Sequence, residues 1–137
     1  NIFVLRQGGV RLVDFGLVKD LSLAKLTEAG TVAGSPSYIA PEAWAGNPDK
    51  IDHRIDVYSL AVLLFRMVGG RRPFEPGESL MDFILTVSKA ERPSLRVLRP
   101  ELGPEVDAWA RRALAVDPAE RHQTVSELWA GFLAATR

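Results

Sequence analysis

The residue with the clearest chemical potential near the start of the chain is Asp14, which begins the tripeptide D-F-G. It follows a run rich in β-branched residues, residues 10–13, that is typical of a β-strand. A carboxylate at a strand end, beside a glycine, can reach the edge of a ligand, and Mg²⁺ prefers such oxygen ligands. The tripeptide therefore indicates a divalent-metal site that could bridge nucleotide phosphates. The simpler interpretation is a turn that uses Asp and Gly at the end of a strand.

Further motifs follow in a fixed order. A-P-E occupies residues 40–42, G-S-P-S-Y-I precedes it, and D-P-A-E-R occupies residues 117–121. D-F-G, then a long loop, then A-P-E resembles the ordered signature of the protein kinase family. Asn1, thirteen positions before Asp14, matches the last residue of that family's catalytic loop, H-R-D-x-x-x-x-N. The resemblance covers the whole chain. Within the family, the chain is similar to bacterial kinases of the eukaryotic-like type.

The resemblance implies metal and nucleotide roles for the first residues. Asp14 would hold the Mg²⁺ that bridges the phosphates of ATP, and Asn1 would hold a second Mg²⁺. Both residues supply oxygen donors, as a hard cation requires. For Asn1 the alternative is a polar residue at a chain end. Phe15 would pack beneath the metal site, and Gly16 completes the cofactor-binding set.

The resemblance also makes residues 17–37 an activation loop. Three hydroxyl residues in it, Thr31, Thr27 and Ser22, are candidates for a phosphorylation that would order the loop by pairing with arginine. Thr31 is the first choice because it lies nearest the Gly34 anchor. The alternative is that all three are ordinary solvated hydroxyls.

The end of this loop resembles a substrate-docking loop, formed by Gly34, Ser35, Pro36 and Tyr38. The pattern is that of serine/threonine kinases and differs from the loop of tyrosine kinases. Ser35 stands where relatives usually have Thr, whose hydroxyl bridges toward the catalytic aspartate and lysine. Serine at this position is a conservative departure from the family pattern.

Three charged residues are expected to be structural. Glu42 and Arg121 match the family's buried ion pair, which holds the docking loop in place, and losing one partner of such a pair costs about 3–5 kcal/mol. Asp56 lies in an apolar helix, where a lone buried carboxylate is costly and must have partners. In relatives those partners are backbone donors of the catalytic loop. They lie upstream of the position of Asn1, so in this chain the Asp56 carboxylate could be left without them.

The function implied by the resemblance is transfer of the γ-phosphoryl group of ATP to Ser or Thr of protein substrates, with ATP and Mg²⁺ as cofactors. The sequence has no Gly-rich phosphate loop, strand lysine or partner glutamate, and the catalytic aspartate would lie before Asn1. We therefore expect residues 1–137 to be a partial protein kinase domain without its N-lobe, and to be inactive alone because phosphoryl transfer depends on those parts.

Two alternatives remain open. The parent could be a pseudokinase or scaffold that keeps this lobe for docking proteins, or the chain could be a short protein that binds an intact kinase. Retention of both metal ligands, Asn1 and Asp14, favours the enzyme. The sequence upstream of Asn1 would discriminate between these alternatives.

The elements that would position these residues are mainly helical, with one small β-hairpin at the start. Residues 53–68 are apolar nearly all round, which is typical of a buried central helix. Because part of its cover should come from absent upstream residues, we expect the isolated chain to be marginally stable or to associate. The predicted elements are strands 2–5 and 10–13, helices 41–45, 53–68 and about 106–114, a helix opened by Ser79, a capped turn at 117–120, and a last helix from Thr124 to about Ala135.

Composition limits the class of protein. The chain has 137 residues, is 47% apolar and has a formal net charge of zero, so nothing predicts nucleic acid as a partner. There is no cysteine, which excludes disulfides, and two histidines are too few for a histidine-based zinc site. No apolar run is long enough to span a bilayer. We expect a cytoplasmic kinase domain, with membrane anchoring elsewhere in the parent left open.

Overall fold

The computed structural model describes residues 2–13, 36–45, 51–77 and 79–137. Within these ranges the chain is mainly helical, with one two-stranded antiparallel sheet. None of the helices described there is long and apolar enough to cross a membrane.

The first described element is the predicted hairpin. Strand β1, Ile2–Val4, pairs with strand β2, Val10–Leu12, in the register Ile2 to Leu12. The turn is closed by a hydrogen bond from the Leu5 amide to the Gly9 carbonyl, 3.0 Å long. Gly8 and Gly9 have φ values of 85° and 91°, a region that only glycine adopts readily, so the Gly-Gly pair explains the turn.

Two short helical segments lead into the core. A 3₁₀ helix, Pro36–Tyr38, is followed by helix α1, Pro41–Trp44, with proline at its first position. Proline suits that position because the missing N–H would have no intrahelical partner. All four residues of α1 are buried, so this stretch is anchored in the protein rather than lying on its surface.

Helix α2, Arg54–Gly69, is the central element. It contacts the 3₁₀ helix and helices α4, Glu105–Ala113, and α5, Val125–Ala135. Its end is set by Gly70, which has a φ of 74° and donates its amide to the Arg66 carbonyl at 2.9 Å. The helix is not buried all round: Met67 is 70% exposed and Arg66 is also exposed, because the elements that the structure describes cover only one broad face of it.

Side-chain caps fix where the later helices begin. Ser79 accepts the amide of Asp82 at the start of helix α3, Leu80–Lys89, and Thr124 accepts the amide of Glu127 at the start of α5. Both predicted capping positions are confirmed. Helix α3 packs on α1, and α4 packs on α5. The shared core includes Tyr58, Phe65, Phe83, Leu95, Val106, Leu114 and Leu128.

Candidate functional site

The sequence-predicted site residues divide into two groups. Those expected to hold metal and nucleotide, to carry phosphate or to begin the docking loop lie outside the described residues: Asn1, Asp14, Phe15, Gly16, Ser22, Thr27, Thr31, Gly34 and Ser35. The structure does describe Pro36, Tyr38, Glu42, Asp56 and Arg121. We call residues 36–45 the A-P-E segment, and it is the part of the candidate site whose geometry is defined.

The A-P-E segment begins against helix α2. The Ser59 hydroxyl of α2 donates toward the Tyr38 carbonyl oxygen at 2.7 Å and lies 3.0 Å from the Ile55 carbonyl oxygen of its own helix. Ser37 is buried. A backbone carbonyl removed from water requires a donor, so Ser59 satisfies a group that the bend at Tyr38 would otherwise leave unpaired.

Two arginines bind side chains of the same segment. Arg66 Nη1 donates to the Tyr38 hydroxyl at 2.8 Å, and Arg72 Nη1 donates to the Ser37 hydroxyl at 3.0 Å. Sequence reasoning missed Arg66, Arg72 and Ser59. The signal available was that Ser59 and Arg66 interrupt the apolar run of residues 57–68.

The A-P-E segment is tied to the far end of the chain by a buried ion pair. Arg121 Nη1 and Nη2 donate to the two carboxylate oxygens of Glu42 at 2.7 and 2.6 Å, with side-chain exposures of 0% and 7%. The structure thus contains the ion pair that the family resemblance implied. Parallel two-point contacts of this kind fix orientation as well as distance.

The Arg121 guanidinium is also enclosed by other groups. Its remaining donors reach the carbonyl oxygens of Ala115, Val116 and Arg54 at 2.7, 2.9 and 3.3 Å. Its carbon lies 4.9 Å from the centre of the Tyr58 ring, a cation–π distance. Burial raises the pKa of the Tyr58 phenol to about 12, so the phenol is neutral at pH 7.

Asp56 is a correction to the sequence-based expectation. Its side chain is exposed instead of buried, and it lies in the first turn of helix α2. A carboxylate there is solvated by water and favoured by the positive end of the helix dipole. Its proposed role as an acceptor for backbone donors of the catalytic loop stays a prediction, because those donors were expected upstream of Asn1.

The described residues of the site can bind and orient another chain, but they include no set of side chains that could carry out a reaction. No three histidine or acidic side chains lie together as a possible metal site among residues 2–13, 36–45, 51–77 and 79–137. What these residues provide is a short extended-to-helical segment, fixed by Ser59, Arg66, Arg72 and Arg121, beside which another chain could lie.

Comparison with known proteins places this geometry in context. The family model of the protein kinase domain matches residues 1–130. The chain is 32% identical over 135 residues to serine/threonine-protein kinase PrkC of Bacillus subtilis, and this alignment covers 98% of this chain and 20% of that protein. It is 33% identical over 123 residues to serine/threonine-protein kinase PknL of Mycobacterium tuberculosis, and this alignment covers 89% of this chain and 30% of that protein. The chain thus spans less than a third of the length of these relatives.

Proposed function

The chain belongs to the protein kinase domain family, and on that premise we propose that it is part of a longer serine/threonine kinase. The longer protein would transfer the γ-phosphoryl group of ATP to Ser or Thr of protein substrates. Within it, residues 1–16 would supply metal ligands and the A-P-E segment would help to position the protein substrate.

The observation that carries the proposal is the Glu42–Arg121 pair. It joins residues 79 positions apart and holds the A-P-E segment on the helical core through two short hydrogen bonds. Phosphoryl transfer is accelerated mostly by positioning and electrostatic stabilisation, so a rigidly held segment for the acceptor chain is a functional requirement. The motif order from Asn1 through Arg121 supports the same assignment.

The residues proposed for the cofactor have suitable chemistry. Asn1 and Asp14 offer an amide oxygen and a carboxylate, which are donors that Mg²⁺ accepts, although the positions of both lie outside the described residues. Bound Mg²⁺ would offset the negative charge of the ATP phosphates. Asp14 and Asn1 would orient the nucleotide by holding that ion. Phe15 would pack beneath the metal site, and Gly16 would complete the cofactor-binding set.

The choice of Ser or Thr over Tyr is supported by the loop that precedes the A-P-E segment. Gly34, Ser35, Pro36 and Tyr38 follow the serine/threonine pattern. We propose Thr31, with Thr27 and Ser22 behind it, as the residue whose phosphorylation orders this loop. A new phosphate pairs readily with arginine, and such a pair can fix a segment that is otherwise loosely held.

The experiment compares the intact protein with the 137-residue chain, using ATP labelled in its γ-phosphate and a general protein substrate. The intact protein is expected to label Ser and Thr, and the chain alone is expected to label neither. The reason is that the 137 residues contain no Gly-rich loop, strand lysine or catalytic-loop aspartate. Transfer by the purified chain would refute the proposed inactivity. A folded intact protein that binds partners but transfers no phosphate would support the scaffold instead.

A further inference from the structure

Three arginines lie together where helix α2 ends. Arg66 is in the last turn of the helix, and Arg71 and Arg72 follow its glycine cap. We call these residues the arginine cluster. Arg66 and Arg72 both bind the A-P-E segment, at the Tyr38 and Ser37 hydroxyls respectively. The cluster therefore borders the same segment that is proposed to position the substrate.

Among the residues that the structure describes, the charges in this region do not balance. Arg72 is paired with Glu75 at 2.8 Å. Arg66 has a neutral partner, the Tyr38 phenol, and Arg71 makes no hydrogen bond or ion pair within the described part of the chain. The carboxylate of the A-P-E segment, Glu42, is turned inward and held by Arg121. On a chain of zero net charge, the described residues beside Tyr38 thus carry a local excess of positive charge.

A cavity lies next to the arginine cluster. Arg71, Arg72 and Glu75 line one part of it, while Phe65, Pro93 and Leu98 supply apolar walls. A side chain with an apolar stem and a charged end can bury the stem against such walls and keep the end at the polar side. An acidic side chain fits this combination, because its carboxylate would meet exposed arginine.

We propose that the arginine cluster recognises an aspartate or glutamate of the protein substrate near the accepting hydroxyl. The inference rests on the proposed kinase function and adds a substrate preference to it. A single carboxylate is favoured over a phosphate because Glu75 already binds the Arg72 guanidinium through Nε and Nη2 and would repel a doubly charged group more strongly. Three arginines with one neighbouring acid form a small patch, whereas nucleic acids and anionic membranes are bound by larger basic surfaces.

The test uses the intact kinase and three peptides that share a threonine acceptor and differ only in flanking residues: Glu, Gln or Lys. The Glu peptide is expected to have a kcat/KM roughly fivefold above that of the Gln peptide at low salt, as for an exposed charge contact. The advantage should shrink at high salt. Arg71→Gln is the main variant, because Arg71 has no described hydrogen bond to lose. It should bring the ratio of the two peptides close to one, and Arg66→Gln should likewise move the ratio toward one.

Two controls separate charge recognition from loop positioning. Tyr38→Phe removes the hydrogen bond to Arg66 and keeps the arginine charge, so it should preserve the Glu-to-Gln ratio even if all rates fall. Arg111→Gln removes an exposed arginine on α4 and should also leave the ratio unchanged. Equal rates for the three peptides, or a preference that survives Arg71→Gln and Arg66→Gln, would overturn the inference.

Failure of the kinase proposal would look different. The wild-type protein would then phosphorylate none of the peptides. Binding of the same peptides, labelled with a fluorophore and followed by anisotropy, still tests the cluster in that case. Tighter binding of the Glu peptide that is lost in Arg71→Gln supports the docking surface, and equal binding of the three peptides contradicts it.

Discussion

At the residue scale, Arg121 has the most complete set of contacts in the described structure. A guanidinium has five N–H donors, and the five hydrogen bonds to Glu42, Arg54, Ala115 and Val116 use all of them. The short side chain of Glu42 is therefore held in one orientation. Lysine could not reproduce this geometry, because its ammonium group is a point charge with three donors.

Arg121→Met should lower the free energy of unfolding by about 3–5 kcal/mol, because it leaves the Glu42 carboxylate buried without its partner. Urea denaturation followed by tryptophan fluorescence measures the loss. Arg99→Met is the matched control, since Arg99 pairs with Glu101 in an exposed position, with side-chain exposures of 47% and 57%. It should cost about 1 kcal/mol or less. Equal losses in the two variants would show that burial of the Glu42–Arg121 pair is not what stabilises this region.

The residues of the candidate site differed in how well the sequence predicted them. Glu42 and Arg121 could be paired in advance because each lies in a recognisable motif. Ser59, Arg66 and Arg72 could not, because their partners Ser37 and Tyr38 are 21 to 35 positions away and nothing local marks the contact. Asp56 was placed in the correct helix, but its exposure was not predicted, because apolar neighbours in sequence do not reveal which face of a helix is covered.

At the element scale, starts and ends of helices followed from local chemistry. Ser79 with Asp82, Thr124 with Glu127, and Gly70 each act within a few residues, so their signals can be read without a fold. The environment of helix α2 required the tertiary structure. Met67 is exposed and Val57 is fully buried, although both belong to the same apolar run.

Helices α4 and α5 meet around a buried histidine. His122 lies beside Trp109 and Gly131, where a Cβ on Gly131 would stand 3.1 Å from the imidazole. Its Nδ1 is 3.7 Å from the Glu127 carboxylate, which Arg112 also contacts. Burial, followed by the nearby Arg112 charge, lowers the pKa of His122 below its ordinary value. The folded state therefore favours a neutral imidazole at this interface.

This lowered pKa predicts a loss of stability on acidification. The contribution of His122 is fully present above the ordinary imidazole pKa of about 6.5 and is lost as the pH falls through the lower pKa of the folded state. The free energy of unfolding should thus decrease between pH 7.5 and pH 5.5, as measured by urea denaturation. The decrease should be smaller in His122→Gln. An identical decrease in the variant would assign the effect to other groups.

At the scale of the whole molecule, the described helices form one core that holds the A-P-E segment in place. Helix α2 contacts its beginning, Arg121 fixes its middle, and α3 packs against α1. The hairpin differs, since Phe3, Val4 and Val10 are 59%, 81% and 65% exposed. Exposed apolar surface of this kind promotes association. This surface agrees with the expectation that the isolated chain is marginally stable or associates, which stays a prediction.

The central claim is that this chain forms part of a serine/threonine kinase, and Asp14→Ala in the intact protein tests it most directly. The measurement is transfer of labelled γ-phosphate to a protein substrate, with the labelled amino acids identified. Wild type should yield phosphoserine and phosphothreonine, and Asp14→Ala should lower the rate at least about a hundredfold by removing a metal ligand. Glu91→Ala, at an exposed position, should retain the wild-type rate. Undiminished transfer by a folded Asp14→Ala protein, or no transfer to Ser or Thr by wild type, would contradict the claim.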